Sequence, residues 1–357
     1  MPLKSERWGI VGGGLLGMTL AHRLAEDGKR VVLYEAGASL GGLAGTWQLG
    51  EWMWDKHYHA THMSDSSLRN LLEELGLADE MEWLSAQTGL YADGHLQSVP
   101  NSPILGYTRG GYARILERFS QALLDEGVLI RRAYKAQCVE SRANGVLVEF
   151  ENGKQKVVDQ VVLTLGGPAS AAICPALAID ERERWQSLRY LGIISAALIL
   201  RRPLTGLHVT TMSDERIPFM AVIEMSALVD RSTFAGNSLI YLPRYVSAGD
   251  PAFERTDRDI EADCISALSR MYPHFDSRDV LCFRVSRTRH LSASTTLNYS
   301  DIVPPMATSV PGVHIVNSAY LVSDTVHLDK IVKLANGAAQ SLLTSQLQEA
   351  RATAGTT

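Results

Sequence analysis

Six residues, Gly12-Gly13-Gly14-Leu15-Leu16-Gly17, constrain this chain more than any other stretch. They lie between an apolar run at 8–11 and an amphipathic segment that ends at Gly28, and a second strand-like run then stops on Glu35. The order reads strand, glycine turn, helix, strand, and that context carries more than the glycines alone. Gly12 permits a tight turn off the first strand, Gly14 lets backbone approach a pyrophosphate, and Gly17 lets the helix pack close to the sheet. The free N–H groups at the helix start, Leu15 and Leu16, then face the phosphates. Glu35 falls 23 positions after Gly12, where a carboxylate accepts hydrogen bonds from a ribose diol and repels a 2′-phosphate. A dinucleotide other than NADP is the expected ligand.

The residues after Glu35-Ala36 separate NAD from FAD. Gly41-Gly42 follows six positions on, then Leu43-Ala44-Gly45, a loop with so little side-chain bulk that backbone can lie against a long flat ligand. Here the chain resembles the glutathione-reductase-type FAD proteins, in the branch that holds flavin-containing amine oxidases, protoporphyrinogen oxidase, phytoene-type desaturases and UDP-galactopyranose mutase. Asp55, Tyr58 and His59 look like the Asp-x-x-Tyr-His segment of protoporphyrinogen-oxidase-like members. The stretch 106–112, Arg189-Tyr190-Leu191-Gly192 and Ile217-Pro218-Phe219 resemble further family segments. The chain departs from the family in two places: a long helical insert between Pro100 and Gly106 is cut to a few residues, and Gly37 and Leu43 stand where many amine oxidases carry arginines.

The resemblance implies an α/β fold: a Rossmann-like FAD-binding domain with a parallel sheet, interleaved with a smaller α+β substrate domain on a mixed sheet. The expected FAD-binding segments are 1–60, 106–185 and 286–350, the substrate segments 61–105 and 186–285, and the tail 351–357 is flexible. Patterning supplies the elements. Leu68, Leu71, Leu72 and Leu75 repeat at helical spacing within 64–77. The hairpin 91–99 turns at Asp93-Gly94, and an amphipathic helix at 114–126 stops at Gly127. Short strands are expected at 128–132, 136–141 and 146–151, with one near-continuous apolar strand at 157–165 that ends at Gly166-Gly167-Pro168. A helix at 257–272, a strand at 313–317 and a closing helix at 328–347 complete the reading.

Composition excludes several classes. With 357 residues, 46% of them hydrophobic, and a net charge of −5, the chain has room for a large core and no basic stripe for nucleic acid. The longest apolar run, 191–200, is too short to span a bilayer, and residues 1–7 hold no secretory core. Cys138, Cys174, Cys264 and Cys282 form no C-x-x-C pair. A cytoplasmic protein without a metal centre is expected.

The chemistry is expected to come from FAD. Family-like contacts to it are Gly12, Gly14, Leu15, Leu16, Gly17, Glu35, Ala36, Gly41, Gly42, Leu43, Ala44, His59, Ala136 and Gly166, with the backbone of Leu328, Asp329 and Lys330. If those three residues form the first turn of the closing helix, its positive end faces the flavin edge that gains negative charge on reduction. No second G-x-G-x-x-G is present, so electrons enter from the substrate. His57, His59 and His62 are read either as packed imidazoles, as a metal pair, or, for His59, as a general base with a pKa near neutrality. Arg289, beside Arg287 and His290, is a candidate clamp for a substrate carboxylate or phosphate. Tyr241, Arg244 and Tyr245 are candidate cavity residues. The expected activity is oxidation or desaturation of a small organic substrate by hydride transfer to flavin N5. The alternatives are a redox-neutral mutase and a non-catalytic flavin-binding subunit, and the shortened cap predicts a homodimer or a partner protein over an exposed apolar face.

Overall fold

The computed structural model describes residues 6–100, 102–295, 299–321 and 327–354. Five parallel strands form one sheet, in the order Leu129–Arg131, Arg30–Tyr34, Arg7–Val11, Gln160–Leu163 and Val313–Ile315. Both faces are covered, as the continuous apolar runs require. On one face the helices Leu15–Glu26, Gly111–Asp125 and Leu328–Ala354 bury Leu20, Leu24, Phe119 and Val332 against Trp8 and Ile10. On the other, a three-stranded antiparallel sheet, Ala136–Arg142, Gly145–Phe150 and Gln155–Val158, packs Val148 and Phe150 against Tyr34 and Val161. This is the expected Rossmann-like unit.

One expected strand divides in two. The apolar run 157–165 breaks at Asp159: Val157 and Val158 pair antiparallel with Leu147 and Val146, whereas Gln160–Leu163 joins the parallel sheet beside Arg7–Val11. Asp159 accepts the backbone N–H of Arg7 at 2.7 Å and pairs with its guanidinium at 3.1 Å. The apolar residues on both sides of the turn conceal it in the sequence.

A second, mixed sheet has seven strands: Val280–Ala293, Tyr190–Leu200, Ser238–Ser247, Ala221–Glu224, Val209–Met212, Thr88–Ala92 and His95–Val99. All neighbours are antiparallel except the pair Val209–Met212 and Thr88–Ala92. The helix Asp257–Met271 covers one face through Ala267 and Leu268 against Leu198, Ile240 and Leu242. The opposite face buries Ala197 and Tyr241 with Trp54, Leu105 and Tyr107. The closing helix runs to Ala354, beyond residue 347, and 355–357 lie outside the described residues.

Two segment boundaries differ from the expected ones. The strand Val280–Ala293 stays in the seven-stranded sheet past residue 286, held by pairing with Tyr190–Leu200. The helix Ser66–Glu74, expected with the substrate segments, buries Leu68, Leu71 and Leu72 among the helices of the parallel-sheet unit. Its leucine stripe reports burial but not which core receives it.

Candidate active site

The flavin-type residues converge on the carboxyl edge of the parallel sheet, where open α/β sheets hold ligands. Gly12, at φ +116°, turns the chain off Arg7–Val11, and a side chain there would strike the Thr164 hydroxyl at the end of the neighbouring strand. A Cβ on Gly17 would collide with the Gly12 carbonyl oxygen, so glycine is what allows the helix to sit on the turn. The Glu35 carboxylate accepts N–H groups from Gly13 at 2.8 Å and Gly37 at 2.6 Å. The backbone of Ala133 and Tyr134, just before Ala136, is bonded to Gly37 and Glu35. Gly41 bonds through its N–H to the Gly13 carbonyl at 2.8 Å and bridges Gly14 in parallel fashion, with Gly41 and Gly42 both at positive φ. The paired glycines thus lie against the first glycine turn, and Leu43 and Ala44 follow in a single 3-10 turn. Ala36 is exposed beside Glu35, and Gly166 lies opposite the Cβ of His290 at 3.5 Å from its own Cβ position.

Three observations test whether a dinucleotide fits this edge. Leu15, Leu16 and Gly17 are buried at a helix start that has no side-chain cap and no acidic residue in its first turn. Buried first-turn N–H groups need an acceptor, and a pyrophosphate supplies one. Gly14 has open space where a Cβ would lie, its nearest neighbour being the Gly42 Cα at 3.9 Å. Asn317, following Val313–Ile315, holds a buried amide Nδ2 without a partner. The residues fit the group.

A cavity of about 470 Å³ opens between the two sheets. Leu43, His327 and Leu328 wall it on the parallel-sheet side; Ile193, Tyr245, His208 and Val209 wall it on the seven-stranded side, with His57, Tyr58 and His59 between. Leu328 starts the closing helix as expected, so that helix does point its first turn at the cavity. The Asp329 carboxylate turns away and accepts the Leu68 N–H at 2.9 Å. Lys330 is half-buried and has a partner of its own.

His59 lies where the motif places it but not in the expected protonation range. Its Nε2 reaches the Leu43 carbonyl at 3.4 Å, and its ring lies 4.6 Å from that of Tyr112. Burial, then the neighbouring His57, pushes its pKa down to about 3, so the imidazole is neutral and a weak base rather than one poised near 7. His57 is the more deeply buried of the two, its Nε2 3.2 Å from the Ser286 hydroxyl, and is pushed down to about 4. The two do not share a strand face, because Trp52–Asp55 ends before them. Among the described residues no group of three or more His, Cys, Asp or Glu is placed to hold a metal ion. Tyr58 and Tyr245 bond to each other through their hydroxyls at 2.8 Å.

The arginines lie elsewhere. Arg289 is ion-paired with Glu254, donates to the Ala248 carbonyl at 2.8 Å and stacks over Phe253. Arg287 is occupied by Asp257 at 2.6 Å and by the Arg255 carbonyl. Their acidic partners are more than 25 positions away in sequence, which is why a strand pattern alone made them look available. Arg244 borders a different hollow, and Tyr241 is buried with its hydroxyl on the Asp55 carbonyl at 2.7 Å. Two of the cavity's histidines carry no sequence signal of their own: His208, just before the short strand Val209–Met212, and His327, next to Leu328. At the shortened segment, Ile104 and Leu84 are exposed.

Residues 82–327 match the family profile of flavin containing amine oxidoreductases, and residues 10–75 match that of NAD(P)-binding Rossmann-like domains. The chain belongs to the flavin-containing amine oxidoreductase family. It is 28% identical over 164 residues to coproporphyrinogen III oxidase of Mycobacterium tuberculosis, a match covering 44% of this chain and 36% of that protein. It is 25% identical over 205 residues to protoporphyrinogen oxidase 2 of Arabidopsis thaliana, covering 55% and 39%. These matches thus span well under half of either relative. Among solved structures, putrescine oxidase bound to putrescine superposes with a TM-score of 0.73 at 13% identity, over 96% of this chain and 99% of that one. An oxidoreductase from Methanosarcina mazei gives 0.73 at 13%, over 94% and 100%. No helix among the described residues is long and apolar enough to cross a membrane.

Proposed function

We propose that this member of the family binds FAD and oxidises a small organic substrate in the cavity between the two sheets. The observation that carries the proposal is the continuity of that cavity: Leu43 and Leu328, from the paired-glycine loop and the start of the closing helix, face Ile193 and Tyr245 of the seven-stranded sheet across one space. Bound flavin would supply the hydride acceptor, at N5. The chain's residues do the rest. Gly13 and Gly37 hold the Glu35 carboxylate in line for a ribose diol. The uncapped first turn of Leu15–Glu26 offers its N–H groups to the pyrophosphate. The first turn of the closing helix presents its positive end toward the cavity, which favours negative charge there. His57, buried, and His59, half-buried in the cavity wall, are neutral and add no charge to it. In this reading the parallel-sheet unit holds the cofactor and the seven-stranded sheet holds the substrate.

The test is the absorbance spectrum of the purified protein with and without added FAD, followed by anaerobic exposure to candidate reductants such as amines, porphyrinogens and polyenes. Yellow protein that bleaches with one of them supports the proposal. Protein that stays colourless with excess FAD ends it.

A further inference from the structure

His208 is a buried histidine on the substrate wall that neither the motif nor the family match singles out. Its backbone is held from both sides: its N–H donates to the Gln87 carbonyl and its carbonyl accepts the Glu224 N–H, each at 2.8 Å. Its ring Nδ1 lies 3.3 Å from the Glu224 carbonyl oxygen. A carbonyl can only accept, so Nδ1 carries the hydrogen and Nε2 is left as a lone pair. Burial holds the ring below the ordinary histidine range, and hence neutral. His208 lines the same cavity as the Tyr58–Tyr245 hydroxyl pair. In such a pair one hydroxyl spends its hydrogen on the other, and the second hydrogen is free for a ligand. The seven-stranded side of the cavity therefore offers a fixed acceptor at His208 and, through the tyrosine pair, a donor; Thr88, His57, His59, His62 and His327 are the other polar residues of the lining. Among the described residues that line the cavity, no Asp, Glu, Lys or Arg occurs. A permanent ion brought here would lose its hydration without a counter-charge from those residues.

We infer that His208 is a specificity-determining acceptor of this site, and that the substrate is a neutral, largely apolar molecule presenting an N–H or O–H to its Nε2. This rests on the cavity being the substrate site proposed above. A hydrocarbon polyene gives nothing to a fixed lone pair, so the desaturase-type substrates are disfavoured, as are polycations and polycarboxylates. His208 selects and orients; the family chemistry does not require it to react.

The experiment uses the full chain with 15N-labelled histidine, loaded with FAD, and two probes of matched shape: indole, which has an N–H, and indene, which does not. The His208 signals are assigned by their loss in His208→Leu. Long-range 15N–1H correlation is expected to show Nδ1 protonated and Nε2 bare, with Nε2 shifting on addition of indole and not of indene. Titration followed by the flavin band is expected to show indole binding roughly fivefold tighter than indene, a preference lost in His208→Leu and partly kept in His208→Gln, which retains an acceptor oxygen. An Nε2-protonated ring, or an indole preference unchanged in His208→Leu, overturns the inference. Should His208→Leu fail to fold, loss of the signals in His208→Gln assigns them, and the tautomer and the Nε2 shift in the unaltered chain decide. The two proposals fail separately: protein that takes up no FAD but shows the indole shift at His208 sinks the flavin reading only, whereas yellow protein with an indifferent His208 sinks this one only.

Discussion

The carboxylate of Asp55 accepts the backbone N–H of Tyr112 at 2.9 Å, fastening the end of Trp52–Asp55 to the first turn of Gly111–Asp125. Gly111 makes room for it: at φ +64°, its Cβ position lies only 3.1 Å from the Asp55 oxygen. The positive end of the helix favours the ionised carboxylate, but complete burial opposes it and pushes the pKa up to about 7. The same residue's carbonyl receives the Tyr241 hydroxyl. The aspartate of the Asp-x-x-Tyr-His segment is thus a strut that holds Tyr58 and His59 in the cavity wall, and it does not touch the reaction space.

Asp55→Asn should be tolerated and Asp55→Ala should not. The asparagine oxygen still accepts the Tyr112 N–H and brings no buried charge, whereas alanine leaves that N–H unpaired at a cost of about 1–3 kcal/mol. Urea unfolding at pH 7.5 checks this. Equal losses in the two variants would show that the hydrogen bond is not what Asp55 contributes.

Stability should fall as pH drops from 7 to 5. Burial lowers the pKa of His57 to about 4, His59 to about 3 and His314 to about 4, against an unfolded value near 6.5. Below 6.5 the unfolded chain takes up protons that the native histidines refuse, so each contributes stability that is lost on acidification. Asp55 acts in the opposite sense. With its native pKa raised to about 7, it favours folding at low pH and loses that contribution as pH rises from about 4 to 7. The three histidines outweigh it, and Asp55→Asn should steepen the slope. Urea midpoints across pH 5–7.5 measure it, and a flat profile in both proteins would contradict the assignment.

The glycine turn, the helix after it and Glu35 were legible because their constraints are local: positive φ at Gly12 and the contact of Gly17 with Gly12 leave few alternatives. Distant partners were not. Glu254 takes Arg289 out of the site from 35 positions away, and Tyr112 receives Asp55 across 57. The depressed pKa of His59 follows from burial that no short window reports. The turn at Asp159 hid inside an apolar run because apolar residues on both sides of it, Val158 and Val161, are buried, each in a different sheet. His208 had no motif at all; its role arises from a carbonyl on the neighbouring strand.

Glu35→Ala should weaken FAD retention by about ten- to a hundredfold, the loss of charge-assisted hydrogen bonds worth roughly 1.5–3 kcal/mol. The carboxylate also ties Gly13 to Gly37, so part of the loss would come from a loosened turn. Glu35→Gln, which keeps an acceptor for one of those N–H groups, should fall between. Flavin fluorescence titration of refolded, flavin-free protein gives the three dissociation constants. Equal values would remove Glu35 from the cofactor site.

Gly14→Ala and Gly17→Ala should fail in different ways, because the two glycines are required by different neighbours. At Gly14 the backbone, φ −71° and ψ 175°, suits any residue, and the nearest atom to a new methyl is 3.9 Å away. The flavin-free protein should therefore keep its melting temperature. Its FAD affinity should fall by about tenfold or more, since the methyl occupies the approach of the pyrophosphate and a tenfold loss needs only about 1.4 kcal/mol. At Gly17 the methyl meets the Gly12 carbonyl of the chain itself. Overpacking of that kind costs roughly 1–3 kcal/mol, and it should lower the melting temperature whether or not FAD is present. Thermal denaturation of both variants without the cofactor separates the cases. A Gly14→Ala protein that is unstable without flavin, or one that binds FAD normally, would show that the open space beside Gly14 is not where the dinucleotide lies.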